Sequence, residues 1–433
     1  MADDVSVQKK GYPRTFWTVI TMEFFERGSY YGVMSVLSVF LVMSIPEGGL
    51  GFSKESVGAI KSTITPLLYF LPILSGALAD RYGYRRVLMF AFVLLSLGYF
   101  LTSLVTSYAL VFASLIVMAL GAGLFKPIIS GTIAKTTNEK NSSQGFSIYY
   151  WSINLGAFLF PLILIPWLKS YSWSYIFIMA SIFTGSMLFL NIFVYREPNR
   201  PENRENKSLL KVFGGALLVL KDFRFMGMIL IYSCFWILYF QMFDSVLWYL
   251  KEYMDMTPVN NFVNSVLSLF VTSPTWKFDA EHVTVINAGA IIILQIPISL
   301  ILRKTRALTA MILGIGLGTA GIALLAISGN AWLFIASMLL FSVGEMTAHP
   351  KFFSYVGLIA PTDKKALYLG YSFLYGVIGS GVGGILGAFL YVHIIEGMNR
   401  PGLFWMIFVL IGTFAMVALF LFDRYIGSKR TAS

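Results

Sequence analysis

The chain has 433 residues, 57% hydrophobic, 16% aromatic and only 12% charged, where an average soluble domain carries about 25% charged residues. That balance excludes a disordered chain, a coiled coil and a disulfide-stapled secreted domain, the last also because Cys234 is the sole cysteine. It makes lipid the main solvent, because a soluble protein so poor in charge would expose wide apolar surface and aggregate. Apolar stretches long enough to cross a bilayer as a helix, about 20 residues, recur twelve times. They lie near 15–42, 56–79, 85–105, 108–134, 145–168, 173–195, 225–250, 282–302, 307–328, 332–359, 366–393 and 402–424. Several exceed the minimum, so tilt or kinks are expected. The alternation of a membrane β-barrel is missing, and the first stretch is too long and too charged for a cleavable signal.

The net charge is +11, but its placement argues against nucleic acid as the partner. With the N-terminus placed in the cytoplasm, twenty-three Lys and Arg fall on inside loops and ends and five on outside loops. That asymmetry predicts both termini in the cytoplasm and a basic surface that meets anionic lipid. Six spans precede residue 196 and six follow 225. The expected organisation is therefore all-α and polytopic, with a six-helix bundle over 1–196, a cytoplasmic linker over 197–224 and a second six-helix bundle over 225–433. A six-plus-six arrangement is typical of carriers built from two related halves that rock about a midplane site. Leu209–Leu220 in the linker is expected to form a short interfacial helix, and 251–281 an outside loop.

Along the chain, charges inside spans default to function because burying them in lipid is costly. The first span carries Glu23, Glu26 and Arg27, one stripe at i, i+3 and i+4, followed by Gly28, Tyr30 and Tyr31. Span two has Lys61, span four Lys126, span seven Asp244, and span ten Glu345 followed by His349 and Lys351. Opposite charges at matched depth in different spans predict a buried network around a polar cavity. At the turn after span two stands Gly76-Ala-Leu-Ala-Asp80-Arg81-Tyr-Gly83-Tyr-Arg85-Arg86. Here Gly76 is expected to permit close helix approach and Asp80 to accept from Arg85 or face a helix N-terminus. Gly379-Ser-Gly381-Val-Gly-Gly384 fits a dinucleotide pattern but lies within an apolar span, so it reads as close packing through small residues. The three histidines have no metal-ligand spacing, and no phosphate-binding loop is present.

The Gly76–Arg86 turn resembles the loop signature of the major facilitator superfamily, which implies that fold and a cytoplasmic gating role for Asp80 and Arg85. Glu23-x-x-Glu26-Arg27-x-x-Tyr30-Tyr31-Gly32 resembles the signature of the proton-coupled oligopeptide transporters within it. Further matches are Gly123-Leu-Phe-Lys126-Pro127, Phe146-Ser-Ile-Tyr149 through Asn154-Leu-Gly156, Phe235-Trp236 with Gln241, Asn287 with Pro297, and Gly344-Glu345 with Ser354-Tyr355 and Ala360-Pro361. The resemblance implies a symporter importing di- and tripeptides, in the cell membrane, monomeric, without cofactor or metal and driven by a proton gradient. It implies proton coupling through Glu23, Glu26, Arg27, Lys126 and Glu345, with the two glutamates of span one paired with Lys126. It implies a peptide carboxylate on Arg27 and Lys126, a terminal ammonium on Glu345, and backbone contacts to Asn154 and Asn287. Tyr30, Tyr31 and Tyr69 would line the cavity, with Trp236 and Ser354 completing the substrate set.

The chain departs from that family at several points. Gly28 stands where a Phe is usual, and Met34 and Phe240 replace the Arg and the carboxylate of the family's extracellular gate pair. Lys61 and Asp244 are expected to substitute for that pair, since both sit roughly 10 Å below the outer surface by helix rise. The linker is too short for the two extra helices that bacterial members often carry. These departures leave a second expectation open, a proton-coupled carrier of a non-peptide solute such as nitrate, an amino acid or a larger metabolite. A non-transporting receptor and a membrane enzyme are the further alternatives. Intact coupling residues disfavour the receptor, and no nucleophile with an acid–base pair or metal set supports the enzyme.

Overall fold

In this computed structural model the described residues are 11–138, 141–198, 219–327, 329–361 and 364–426. The Leu209–Leu220 helix expected from the sequence falls almost wholly outside them. Among the described residues eleven helical units are long and apolar enough to span a bilayer. A twelfth, α1 (Arg14–Val42), also has the length, with 29 residues, and buries Glu23, Glu26 and Arg27 within it. The others are α2 (Lys54–Tyr82), α3 (Tyr84–Leu104), α4 (Tyr108–Thr136), α5 (Gln144–Lys169), α6 (Ser174–Val194), α7 (Phe223–Tyr253), α8 (Glu281–Lys304), α9 (Ala307–Ile327), α10 (Ala331–Ile359), α11 (Leu367–Glu396) and α12 (Pro401–Tyr425). All begin and end within a few residues of the expected spans. The connection between α7 and α8 holds a short helix, Thr257–Leu267, tied back by Asn264, which exchanges two 2.9 Å hydrogen bonds with the backbone of Trp276.

The first six helices pack among themselves, as do the last six, and α2 against α11 and α5 against α8 join the halves. The α2–α11 seam needs small residues. A Cβ on Gly58 would stand 2.5 Å from Ala388 Cβ, and one on Gly384 2.5 Å from Ser62 Oγ. This is how the glycine run of α11 is used, as membrane helices use small residues to approach closely.

Several of the membrane-length helices are locally irregular. Phe160–Leu164 in α5, Leu190–Val194 in α6 and Tyr391–Glu396 in α11 are π-helical, and such segments recur at functional sites. α7 breaks at Met242–Asp244, where Asp244 adopts φ −135° and ψ −90° ahead of Ser245–Tyr253. In the α2–α3 turn the required glycine is Gly83, at φ 96°. Gly76 meets nothing within 4 Å, so the close approach expected of it is absent. Arg85 donates to the carbonyl of Asn191 at 3.1 Å and to that of Ile192. It therefore ties α3 to the π-helical end of α6 through backbone carbonyls, whose orphaned acceptors need donors. The Asp80 side chain lies outside the described residues, and with it the partnership expected with Arg85.

Candidate functional site

Between the halves lies a cavity of about 70 Å³ lined by Arg27, Tyr30, Tyr31, Met34, Lys61, Thr65, Tyr69 and Lys126 from the first half. Tyr239, Phe240, Phe243 and Phe373 line it from the second. It has room for a few waters, less than a dipeptide needs. Its lining brings three cations and four tyrosines together. Of the carboxylates expected in the site, Glu23 and Glu26 lie fully buried beside Arg27, and Glu345 lies on the α10 side, with Tyr31 and Tyr69 within electrostatic reach of both Arg27 and Glu345.

The ion pairs differ from the expected ones. Arg27 grips Glu26 bidentately, Nε to Oε2 at 2.5 Å and Nη2 to Oε1 at 2.7 Å, and its Nε stands 3.8 Å from Glu23 Oε1. Lys126, expected to pair with these glutamates, has no ion-pair partner within 4 Å among the described residues. Its Nζ lies 5.8 Å from the centroid of Phe373. The reason is geometric: Arg27 is on the same helix as both acids and its fork matches a carboxylate, whereas Lys126 must reach across from α4. Glu345 Oε2 accepts from Asn287 Nδ2 at 2.9 Å, and the same amide donates to Ser342 Oγ at 3.0 Å.

Nearer the face opposite the termini, Lys61 Nζ is 3.2 Å from Asp244 Oδ1, and both side chains are about 6% exposed. The hydroxyl of Ser38 on α1 also donates to Asp244. Lys61 Nζ lies 4.0 Å from Met34 Sδ, so the amine stands beside the position where an arginine is usual. Asp244 follows Phe240 by four residues, about one helical turn.

The remaining expected residues are more scattered. Trp236 backs the cavity, its ring packed on Tyr239, Phe240 and Tyr69 with centroids 4.4, 5.8 and 6.2 Å away. Asn154 gives its amide to the carbonyl of Tyr150 at 2.9 Å. Ser354, expected in the substrate set, is exposed on α10 and absent from the lining; nine residues beyond Glu345, it lies roughly 13 Å further along the helix. His349 is packed among aromatics and bonds Tyr232, Nδ1 to hydroxyl at 3.2 Å. Lys351 donates to the carbonyls of Leu302 and Thr305 at 2.7 and 2.9 Å and so caps the end of α8.

The missing bulk at Gly28 is supplied from another helix. A Cβ there would lie 2.5 Å from the ring of Phe160, which packs with Phe24, Phe25 and Phe183. Phe160→Ala should cost about 3–5 kcal/mol through the cavity it leaves, and Gly28→Phe about 1–3 kcal/mol through overpacking. Combined, they should cost clearly less than their sum, because each relieves the other. Thermal melts of the four proteins in one detergent check this, and simple additivity would refute the exchange.

Sequence reasoning missed two clamps across the seam at the face opposite the termini. Lys54 at the start of α2 holds Glu252 at 2.6 Å and also Glu396. Lys169 at the end of α5 holds Asp279 at 2.8 Å and Glu281 at 2.7 Å. The signal was present, since lysines are scarce on that face and acids abound there. Partial burial pushes the Asp279 carboxyl up, but Lys169 and Lys251 outweigh it and hold it down at about 2. A carboxyl lowered in the folded state stabilises above its unfolded value and loses that contribution as pH falls through the folded one. The Lys169–Asp279 arm of this clamp should therefore keep full strength down to about pH 4 and fail only towards pH 2. Maleimide labelling of Val283→Cys in a Cys234→Ser background checks it. Measured relative to a free thiol at the same pH, which removes the change in thiolate fraction, labelling should be equally slow at pH 7 and pH 5 and faster at both once Asp279→Asn is added; relative acceleration at pH 5 without that change would refute it.

The sequence profile of the Major Facilitator Superfamily matches residues 19–276, more than half of the chain. An uncharacterized transporter of Bacillus subtilis is 34% identical over 194 residues, 43% of this chain and 39% of that protein. Dipeptide and tripeptide permease A of Escherichia coli is 33% identical over 184 residues, 41% of this chain and 35% of that one. The chain thus matches well under half the length of these curated relatives. In fold it is similar to a POT family transporter solved with a thioalcohol-conjugated peptide, TM-score 0.79 at 21% identity, and to one solved with 5-aminolevulinic acid, TM-score 0.78 at 22% identity. Each covers 96% of both chains. With its membrane-length helices, this is a multi-pass protein of the plasma membrane and not an enzyme; the chain belongs to the major facilitator superfamily, and its fold is that of the POT transporters.

Proposed function

We propose that this protein is a proton-coupled symporter that imports di- and tripeptides by alternating access. The observation that carries the reading is Lys126, a cation without an ion-pair partner among the described residues. It faces a cavity walled by both halves, beside a buried Glu26–Arg27 pair. Lys126 takes the peptide carboxylate, and Arg27 joins it when Glu26 is protonated and releases the guanidinium. Glu345, oriented by Asn287, takes the terminal ammonium. Tyr30, Tyr31 and Tyr69 wall the site, Trp236 supports them, and Asn154 serves the peptide backbone after giving up its helix carbonyl. Glu23, Glu26 and Glu345 are the proton carriers, and the proton gradient is the energy source. The relatives named as peptide permeases support peptide as the substrate.

With the termini in the cytoplasm, as the loop charges favour, the clamped face is the outer one. The state described is then closed to the outside, and the small cavity must widen from within as the halves part. Lys61 and Asp244 form the inner tier of the outer gate, above the substrate. The two clamps form its outer tier. Protons act on the buried carboxylates rather than on Asp279, which its neighbouring lysines keep ionised at working pH.

A second reading, a non-peptide solute on the same scaffold, is favoured by Met34 and Phe240, which remove the usual gate charges from the cavity wall. Uptake of labelled dialanine into proteoliposomes, with and without an inward proton gradient, separates the two. Gradient-driven accumulation establishes peptide symport. Folded protein that takes up no peptide but accumulates nitrate or an amino acid establishes the second.

A further inference from the structure

We propose that the crevice between α8, α9 and α12 is a binding site for one anionic phospholipid of the leaflet on the side of the termini. The crevice measures about 420 Å³ and is lined by Ile298, Ile301, Leu302, Leu313, Leu317 and Met416, with Gly316 also in its wall. Thr347 brings the lining's one hydroxyl, and it is spent on the carbonyl of Val343 at 2.8 Å. Nothing in such a wall recognises a polar solute, whereas an acyl chain fits it.

The crevice opens beside the cations that select a headgroup. Arg303 and Lys304 follow directly on lining residues Ile301 and Leu302, and both are exposed. The turn that presents them is held from within. Lys351 donates to the carbonyls of Leu302 and Thr305, and Arg306 pairs with Asp423 at 2.8 Å. The two cations thus stand outward at a fixed place. Residues 312–317 lie five to ten positions into α9, so the crevice descends roughly 8–15 Å from the turn into the bilayer. That is the geometry of a phosphate at the interface with its chain below. α8 is also the span least covered by protein, with 17% of its apolar window buried, so lipid has free access to it. Basic positions at this interface attract anionic headgroups, and the apolar crevice converts that attraction into a defined seat. Neither feature depends on what the central cavity transports.

The test is native mass spectrometry of detergent-purified protein titrated with phosphatidylglycerol, phosphatidylcholine or inorganic phosphate, alongside melting curves. Phosphatidylglycerol should leave one retained adduct and raise the melting temperature, and phosphatidylcholine and phosphate should do neither. Arg303→Gln with Lys304→Gln, an exposed pair whose loss leaves the fold intact, should weaken retention at least about tenfold. Gly316→Leu should abolish it by filling the crevice. A Cβ at that site meets only the flexible end of Met416, at 3.2 Å, so the variant is expected to fold. Equal retention of the two lipids, equal stabilisation by free phosphate, or undiminished phosphatidylglycerol retention in the double Gln variant would overturn the proposal.

Discussion

Lys126→Ala should lower proton-driven dialanine uptake by about ten- to a hundredfold, the worth of one charge-assisted hydrogen bond to the substrate, while leaving the melting temperature unchanged or raised. The two halves of that expectation come from one fact. Lys126 has no carboxylate within ion-pair distance among the described residues, so its removal strands no partner, and an unpaired cation in a membrane interior is itself a cost. Arg27 behaves in the opposite way. Removing it leaves Glu26 buried, charged and without its bidentate partner, a loss of about 3–5 kcal/mol. Arg27→Ala should therefore melt early as well as fail to transport. The substrate supplies the second arm. A dipeptide amide, lacking the terminal carboxylate, should be taken up poorly by the unaltered protein, and Lys126→Ala should reduce its uptake no further. A Lys126→Ala protein that melts early and discriminates amide from acid as before would assign Lys126 to structure and remove it from the site.

How much of this was legible in the sequence follows from which costs are local. Spans are legible because a bilayer demands about twenty apolar residues in every crossing. The ends of α4 and α9, at Tyr108 and Ala307, fall where the hydropathy places them. That Glu23, Glu26, Arg27, Lys126 and Glu345 matter was legible for the same reason, since charge inside lipid is expensive wherever it sits. Which charge meets which was not. Helical spacing favours Glu23 for Arg27, at i and i+4, yet the guanidinium swings back to the adjacent Glu26 because both Glu26 oxygens fit its fork. Phe160 filling the space over Gly28 is a complementarity between α1 and α5 separated by more than a hundred residues, and no local pattern carries it. By position alone Lys351 reads equally as a snorkelling or a functional cation; its ammonium caps the end of α8, a use that depends on where that helix stops. Lys61 and Asp244 were the exception. Each is a lone charge in its span, at similar depth and of opposite sign, and a lone charge in lipid has few ways to be satisfied.

That pair gives the sharpest functional expectation. Lys61→Asp alone puts two carboxylates where a 3.2 Å ion pair stood, and Asp244→Lys alone puts two ammoniums there. Each should cut peptide uptake at least about tenfold, because like charges brought together in a buried gate cost several kcal/mol. The exchange of both, Lys61→Asp with Asp244→Lys, restores opposite charges across the same α2–α7 contact and should bring uptake back to within about threefold of the original. Recovery will be incomplete for a stated reason: the Ser38 hydroxyl donates to Asp244, and opposite an ammonium at 244 it must turn to accept instead. If the pair is only a strut, an apolar replacement such as Lys61→Met with Asp244→Leu should transport normally, since a buried ion pair is often dispensable for stability. If it is the gate, that replacement closes the outer face without a charge to break, and uptake should stay low in a protein that melts as late as the original. Failure of the exchange to rescue would remove Lys61 and Asp244 from the gate and leave the clamps at Lys54 and Lys169 as its whole substance.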